Sequence, residues 1–186
     1  MRPLRLAIAL VLASLVWQVP AVAQGAPSGS ALSQKALERI TKEVRHELLL
    51  LPYYGVFDNL AYKVSPDGTV TLLGQVSQPV LKSDAGNVVK KVEGVERVDN
   101  QIEVLPTSMS DDGIRRAVYR AIYGNETLSQ YSLRAVPPIH IIVKNGNVTL
   151  EGVVARQMDK QIAEMQTKSV PNVFSVTDNL QVEESK

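Results

Sequence analysis

Cysteine is absent from this chain of 186 residues. That excludes disulfides, thiolate nucleophiles, iron–sulfur clusters and cysteine-based zinc sites. It also excludes a lipid-modified N-terminal cysteine. Histidine is nearly absent. His46 and His140 are the only two, in no H-x-x-x-H or H-x-x-E spacing, so histidine-ligated metal sites and histidine-dependent triads are out of reach of one chain. A charge excess is missing as well: 20 Lys and Arg stand against 19 Asp and Glu. That is not the balance of a dedicated nucleic-acid binder. No G-x-S-x-G elbow, P-loop or G-x-G-x-x-G occurs. What is present, 45% hydrophobic and 21% charged residues, is the composition of a folded protein. The expectation is a protein with no enzymatic activity, no cofactor and no metal.

The one long apolar run lies at the start. Arg2 and Arg5 form a positive n-region, Leu6 to Val16 an apolar h-region, and Ala21-Val22-Ala23 an A-x-A cleavage signature after Pro20. This pattern predicts a secretory signal peptide over 1–23. A transmembrane anchor is the rival reading. The run is shorter than the ~20 residues that a spanning helix needs, and no stop-transfer charge cluster follows. The expected product starts at Gln24, is periplasmic or secreted, and has no transmembrane span. Losing Arg2 and Arg5 takes the net charge from +1 to −1. Residues 24–33, rich in Gly, Ala, Ser and Pro, read as a flexible leader.

The chain then repeats itself. Asp67-Gly-Thr-Val-Thr-Leu-Leu-Gly-Gln-Val76 matches Asn145-Gly-Asn-Val-Thr-Leu-Glu-Gly-Val-Val154, and the offset holds without a gap from Ile40 against Val118 to Val104 against Val182. Two copies argue for a tandem pair rather than a solenoid. The expected units are 34–105 and 111–183, joined by a Pro- and Ser-containing linker at 106–110. Each reads helix, strand, strand, helix, strand. In the first, Leu37, Ile40, Val44, Leu48 and Leu51 form a helical stripe stopped by Pro52. Leu60, Tyr62 and Val64 alternate before the turn Pro66-Asp67-Gly68. Leu81, Ala85, Val88 and Val92 make the second stripe, with Gly94 placed to end it. In the second unit Asp111 and Asp112 are the expected caps of a helix carrying Ile114, Val118 and Ile122. Asn145-Gly146 is a type I′ turn, and Met158, Ile162 and Met165 make the last helical stripe. The expected fold class is α+β: two tandem αββαβ domains, each with two helices on one face of a small mixed three-stranded sheet.

The D/N-G-x-V-T-L-x-G-x-V core, and the ending Gly94-Val95 with Val98, Asn100, Ile102 and Val104, resemble the BON domain. The second copy departs at Asn172, which replaces the glycine, and at Asp178-Asn179, where the polar pair moves by one. The whole is similar to the tandem-BON family of the osmotically inducible periplasmic protein Y. The resemblance implies an αββαβ fold, an envelope location and a part in phospholipid binding or stress protection. It implies no catalytic residue.

Two surfaces are candidate contacts. At about 100° per residue, Arg116, Tyr119, Arg120 and Tyr123 fall away from Ile114, Val118 and Ile122 on one helix. Arginine and tyrosine suit an anionic headgroup at a membrane interface. A solvated face, or packing against the other domain, is the alternative. The second surface is the aromatic loop Pro52-Tyr53-Tyr54-Gly55-Val56-Phe57. There Tyr54 is the candidate contact, and core packing by Tyr53 and Phe57 is the alternative. His46 reads as solvated, and His140 as pointing outward from its strand. Asn125-Glu-Thr127 and Asn147-Val-Thr149 match glycosylation sequons that arise often by chance. The expected partner is anionic phospholipid or an envelope protein that the chain scaffolds, not nucleic acid.

Overall fold

The computed structural model describes residues 32–183. The signal-peptide reading and most of the leader lie outside the described residues. Leu32 and Ser33, expected in the leader, are already structured. The Leu32 N–H donates to the Pro66 carbonyl at 2.8 Å, and Ser33 caps the first helix, its Oγ accepting from the Ala36 N–H.

The first unit runs α1 (Gln34–Leu49), β1 (Asn59–Val64), β2 (Thr69–Val76), α2 (Pro79–Val89), β3 (Arg97–Asn100) and β4 (Glu103–Val104). The second runs α3 (Met109–Tyr123), a 3-10 turn (Ser129–Leu133), β5 (Ile139–Lys144), β6 (Asn147–Val154), α4 (Gln157–Lys168) and β7 (Ser175–Val182). In each, a hairpin supplies an antiparallel pair and the last strand lies parallel to the hairpin's second strand. Val64 faces Val70, which faces Val98; Val143 faces Val148, which faces Val176. The third strand is continuous in the second unit and interrupted in the first, at Gln101 and Ile102, which makes its sheet four segments rather than three.

Each unit has its own core. Ile40, Val44 and Leu48 on α1 meet Leu72 on β2 and Leu81, Ala85 and Val89 on α2. Ile114, Val118 and Ile122 on α3 meet Leu150 on β6 and Ala163 on α4. Each fully buried aliphatic side chain contributes about 1.5–3 kcal/mol. The α4 stripe is only partly the expected one. Ile162 packs against the core, but Met158 and Met165 are exposed, and Asp159, Ala163 and Thr167 face inward. The polar members are satisfied where they lie. Asp159 accepts from the Tyr131 hydroxyl at 2.7 Å and pairs with Arg156 at 2.9 Å, while the Thr167 hydroxyl donates to the Ala163 carbonyl at 2.8 Å. Buried polar groups with such partners carry little penalty.

The cap of α3 also differs. Its N-cap is Ser108, whose Oγ accepts from the Asp111 N–H, so the helix begins inside the expected linker. Asp111 is buried instead. Its carboxylate accepts from the Asn145 and Gly146 N–H groups, each at 2.9 Å, and clamps the hairpin turn to the helix. At the two departures from the repeat, geometry is kept. Gly94 has φ +90° and Asn172 φ +66°, since asparagine tolerates the left-handed region. Asn100 Oδ1 accepts from the Ile102 N–H, and Asp178 Oδ1 likewise from the Leu180 N–H.

The second glycine of the repeated motif has a steric cause. Gly74 and Gly152 have φ +105° and +123°, and a Cβ there would lie 2.1 Å from the Asn59 carbonyl oxygen and 1.9 Å from that of Pro138. Gly152→Ala is therefore expected to cost the second unit at least about 1–3 kcal/mol. Gly113→Ala, inside α3 with nothing within 4 Å of the new methyl, should gain about 0.5–1 kcal/mol. Thermal melts of the two variants check the pair; an unchanged transition for Gly152→Ala would show that β5 yields without cost.

Candidate functional site

α3 turns Arg116 and Arg120 outward, both exposed and one turn apart. Tyr119, on the same side, is half-buried. Tyr123, expected beside them, is buried. Its hydroxyl donates to the Ile139 carbonyl at 2.7 Å and accepts from the Ile139 N–H at 3.2 Å. Burial pushes its pKa well above the usual phenol value. The chain returning to β5 covers the last turn of α3, and a helical wheel does not contain that return. Tyr123 is part of the fold and not of the surface.

The facing wall comes from the first unit. Buried Asp58 accepts from the Gly55 N–H at 3.1 Å, the Ser77 N–H at 2.7 Å and the Ser77 hydroxyl at 2.8 Å, pinning the aromatic loop to the end of β2. So held, the loop reaches the second unit. The Val56 carbonyl accepts from the Ile141 N–H at 2.8 Å on β5. Phe57 meets Tyr119 edge-on at 6.2 Å, and Tyr54 stacks on His140 at 5.7 Å. Of the two residues expected in the first core, Tyr53 is exposed with φ +68°, and Phe57 packs against the second core instead. Tyr54 packs on the first core and on His140. Burial pushes its hydroxyl up to about 12.

Between loop and helix lies a pocket of about 620 Å³. Gly55, Val56 and Phe57 line one side, and Arg116, Tyr119, Arg120 and Arg134 the other. No carboxylate lines it. Among the described residues, none of the three arginines is in an ion pair or a side-chain hydrogen bond, in contrast to Arg39, Arg115 and Arg156. Sequence reasoning missed Arg134. It sits between the 3-10 turn and β5, where no periodicity marks a face. Its only signal is a cation beside Pro137-Pro138 in an otherwise apolar stretch. Such a pocket can hold an anion bidentately against aromatic edges. Among the described residues no group of three or more His, Asp or Glu side chains can hold a metal ion, and no helix is long and apolar enough to cross a membrane.

His140 does not point outward. Its ring lies under Tyr54, with Nδ1 buried and lacking a hydrogen-bond partner. Burial holds its pKa below the usual 6.5, against the opposing pull of backbone at Gly55 and Asp58 and of the Asp58 and Glu151 carboxylates.

The BON domain family model matches residues 35–106 and 110–184. The chain belongs to the BON-domain family, with two domains in tandem. No curated protein matches the chain. Two solved structures of CdsD, a structural protein of the type III secretion system of Chlamydia trachomatis, one of them its C-terminal domain, are each 12% identical to it. They cover 77% and 78% of this chain and 96% and 93% of their own, with TM-scores of 0.28 and 0.27.

Two outcomes follow from this geometry. Asp58→Ala leaves the Gly55 and Ser77 donors unpartnered and should cost about 1.5–3 kcal/mol; loop protection in amide hydrogen exchange should fall with it, and unchanged protection would show that Asp58 does not hold the loop. The second concerns pH. The folded state disfavours the charged imidazole, so the unfolded chain binds more protons below about 6.5. Stability is full above that pH and falls as pH drops from it towards the lowered folded value. His140→Phe keeps the ring and should remove this part of the fall, read as melting temperature between pH 8 and pH 5.

Proposed function

We propose that this BON-domain protein is a non-enzymatic binding module of the cell envelope that docks on anionic phospholipid headgroups. One observation carries the reading: three guanidiniums without carboxylate partners, gathered at one pocket from α3 and the segment before β5. An unpaired guanidinium offers a fork of donors that matches phosphate oxygens. Phe57 and Tyr119 supply aromatic surface suited to the headgroup level. The N-terminal pattern of Arg2, Arg5, Leu6 to Val16 and Ala21-Val22-Ala23 supports export to the periplasm or beyond. The resemblance of the repeated motif to the tandem-BON family of the osmotically inducible periplasmic protein Y supports a part in envelope stress.

The second reading is a scaffold for another envelope protein. β7 favours it, since among the described residues that eight-residue strand pairs with β6 alone and leaves one edge free. Free edges accept a partner's strand.

Flotation with vesicles separates the two. Phosphatidylglycerol vesicles should carry the protein at low salt and release it as salt rises, and phosphatidylcholine vesicles should not carry it. Each arginine near an anionic surface contributes about 1 kcal/mol, so Arg116→Ala with Arg120→Ala and Arg134→Ala should weaken binding about a hundredfold while circular dichroism stays unchanged. A folded triple variant that floats like the parent removes this pocket from the lipid contact. A parent that never floats overturns the lipid reading and puts the scaffold in front.

A further inference from the structure

Arg134 borders a second cavity on its other side, a cleft of about 730 Å³ between the two domains. That volume lies in the range of small-molecule sites. Its lining mixes apolar side chains with polar and charged ones. Leu49 and Leu60 of the first domain face Val136 and Val153 of the second. Leu49 and Val153 are 47% and 46% exposed, an apolar area left open to water on both walls. Cations stand with it: Arg45 from α1 and Arg134, neither in an ion pair among the described residues, against Glu183 as the one acid of the lining. His140 lines it too, its ring stacked on Tyr54.

We infer that this interdomain cleft binds a single-chain anionic amphiphile of the fatty-carboxylate class. The apolar walls take the chain, because covering exposed Leu49 and Val153 stabilises the complex through buried area. The unpaired guanidiniums take the carboxylate. A short carboxylate would leave the walls wet, and a cationic amphiphile would meet Arg45 and Arg134 with the wrong sign. The site goes beyond vesicle docking, since it encloses one molecule and needs no bilayer. It exists only while both domains are docked, because each supplies one wall.

The test uses the purified protein and laurate below its micelle concentration. Titration calorimetry should give a one-to-one isotherm with laurate, none with acetate, and at least tenfold weaker binding with dodecyltrimethylammonium. In proton NMR the His140 ring signals should move on laurate addition while those of His46 stay. Val153→Trp fills the cleft at an exposed strand position and should abolish the isotherm; Arg45→Ala and Arg134→Ala should each weaken it about tenfold. Leu49→Asp, at an exposed helix end, is the second variant should Val153→Trp fail the circular dichroism control. Absence of a saturable isotherm, an unmoved His140, or a folded Val153→Trp that binds laurate like the parent overturns the inference. A protein fragment that binds the cleft while laurate does not would also overturn it. Flotation is the separate arm. A Val153→Trp protein that loses laurate yet still floats shows that the cleft and the headgroup pocket are distinct. Laurate binding by a parent that never floats keeps the cleft and discards the headgroup reading.

Discussion

The Asp58 carboxylate is the point on which the arrangement of the two domains turns. A buried ionised carboxylate is costly unless its oxygens are filled. Here Gly55, Ser77 N–H and Ser77 hydroxyl fill them. The return is a loop with one conformation. That conformation sets the Val56 carbonyl on the Ile141 N–H, Tyr54 on His140 and Phe57 on Tyr119. It also covers part of the outer edge of β5, a backbone row otherwise open to another strand. Glu103 and Lys144 add an ion pair across the same boundary. Both are about half exposed, so it contributes little. The hydrogen bonds and rings of the loop hold the domains, and both candidate cavities are bounded by it or by the segment that faces it.

The two copies share a backbone and spend their polar residues differently. Tyr53 and Tyr131 occupy matching positions. The first is exposed in a left-handed conformation; the second is buried, donating to Asp159 and accepting from the Ala155 N–H. Tyr62 and His140 match as well. The Tyr62 hydroxyl reaches the Thr41 carbonyl within its own domain, whereas His140 faces the other domain. In the second domain Asp111 clamps the hairpin, and Arg115 donates to the Val143 carbonyl at 2.8 Å while pairing with Asp112. These residues explain which arginines of α3 are free. Arg115 is consumed by structure; Arg116 and Arg120, one face further round, are left to solvent and to whatever anion arrives.

Three guanidiniums without carboxylate partners at one pocket offer an anion charge and donors together, and that attraction is screened by salt over about 10 Å at 0.1 M. Binding that depends on such a cluster fades with ionic strength. The headgroup pocket and the interdomain cleft share Arg134, so both respond to salt, and the cleft differs in the apolar side chains that stand beside its cations.

Much was legible in the residues alone, because much is local. The tandem repeat, the order of elements, the stripes Ile40-Val44-Leu48 and Ile114-Val118-Ile122, and the Asn145-Gly146 turn follow from period, turn chemistry and self-similarity, which a sequence carries in full. The candidate face of α3 was legible in Arg116, Tyr119 and Arg120. It failed at Tyr123, because the segment that buries it arrives from sixteen residues downstream. The α4 stripe failed for a related reason: Asp159 is made acceptable in a core by Tyr131, twenty-eight residues away. Apolar spacing selected Met158 and Met165 in its place. Arg134, the Asp58 clamp and the contact of the aromatic loop with β5 left no periodic trace, since each is defined by a partner distant in the chain. Period and turn chemistry are properties of neighbours, and the sequence by itself determined what they control. Which polar side chains are buried, which cations stay free, and how the domains meet depend on distant groups brought within hydrogen-bonding distance. Only the tertiary structure decided those.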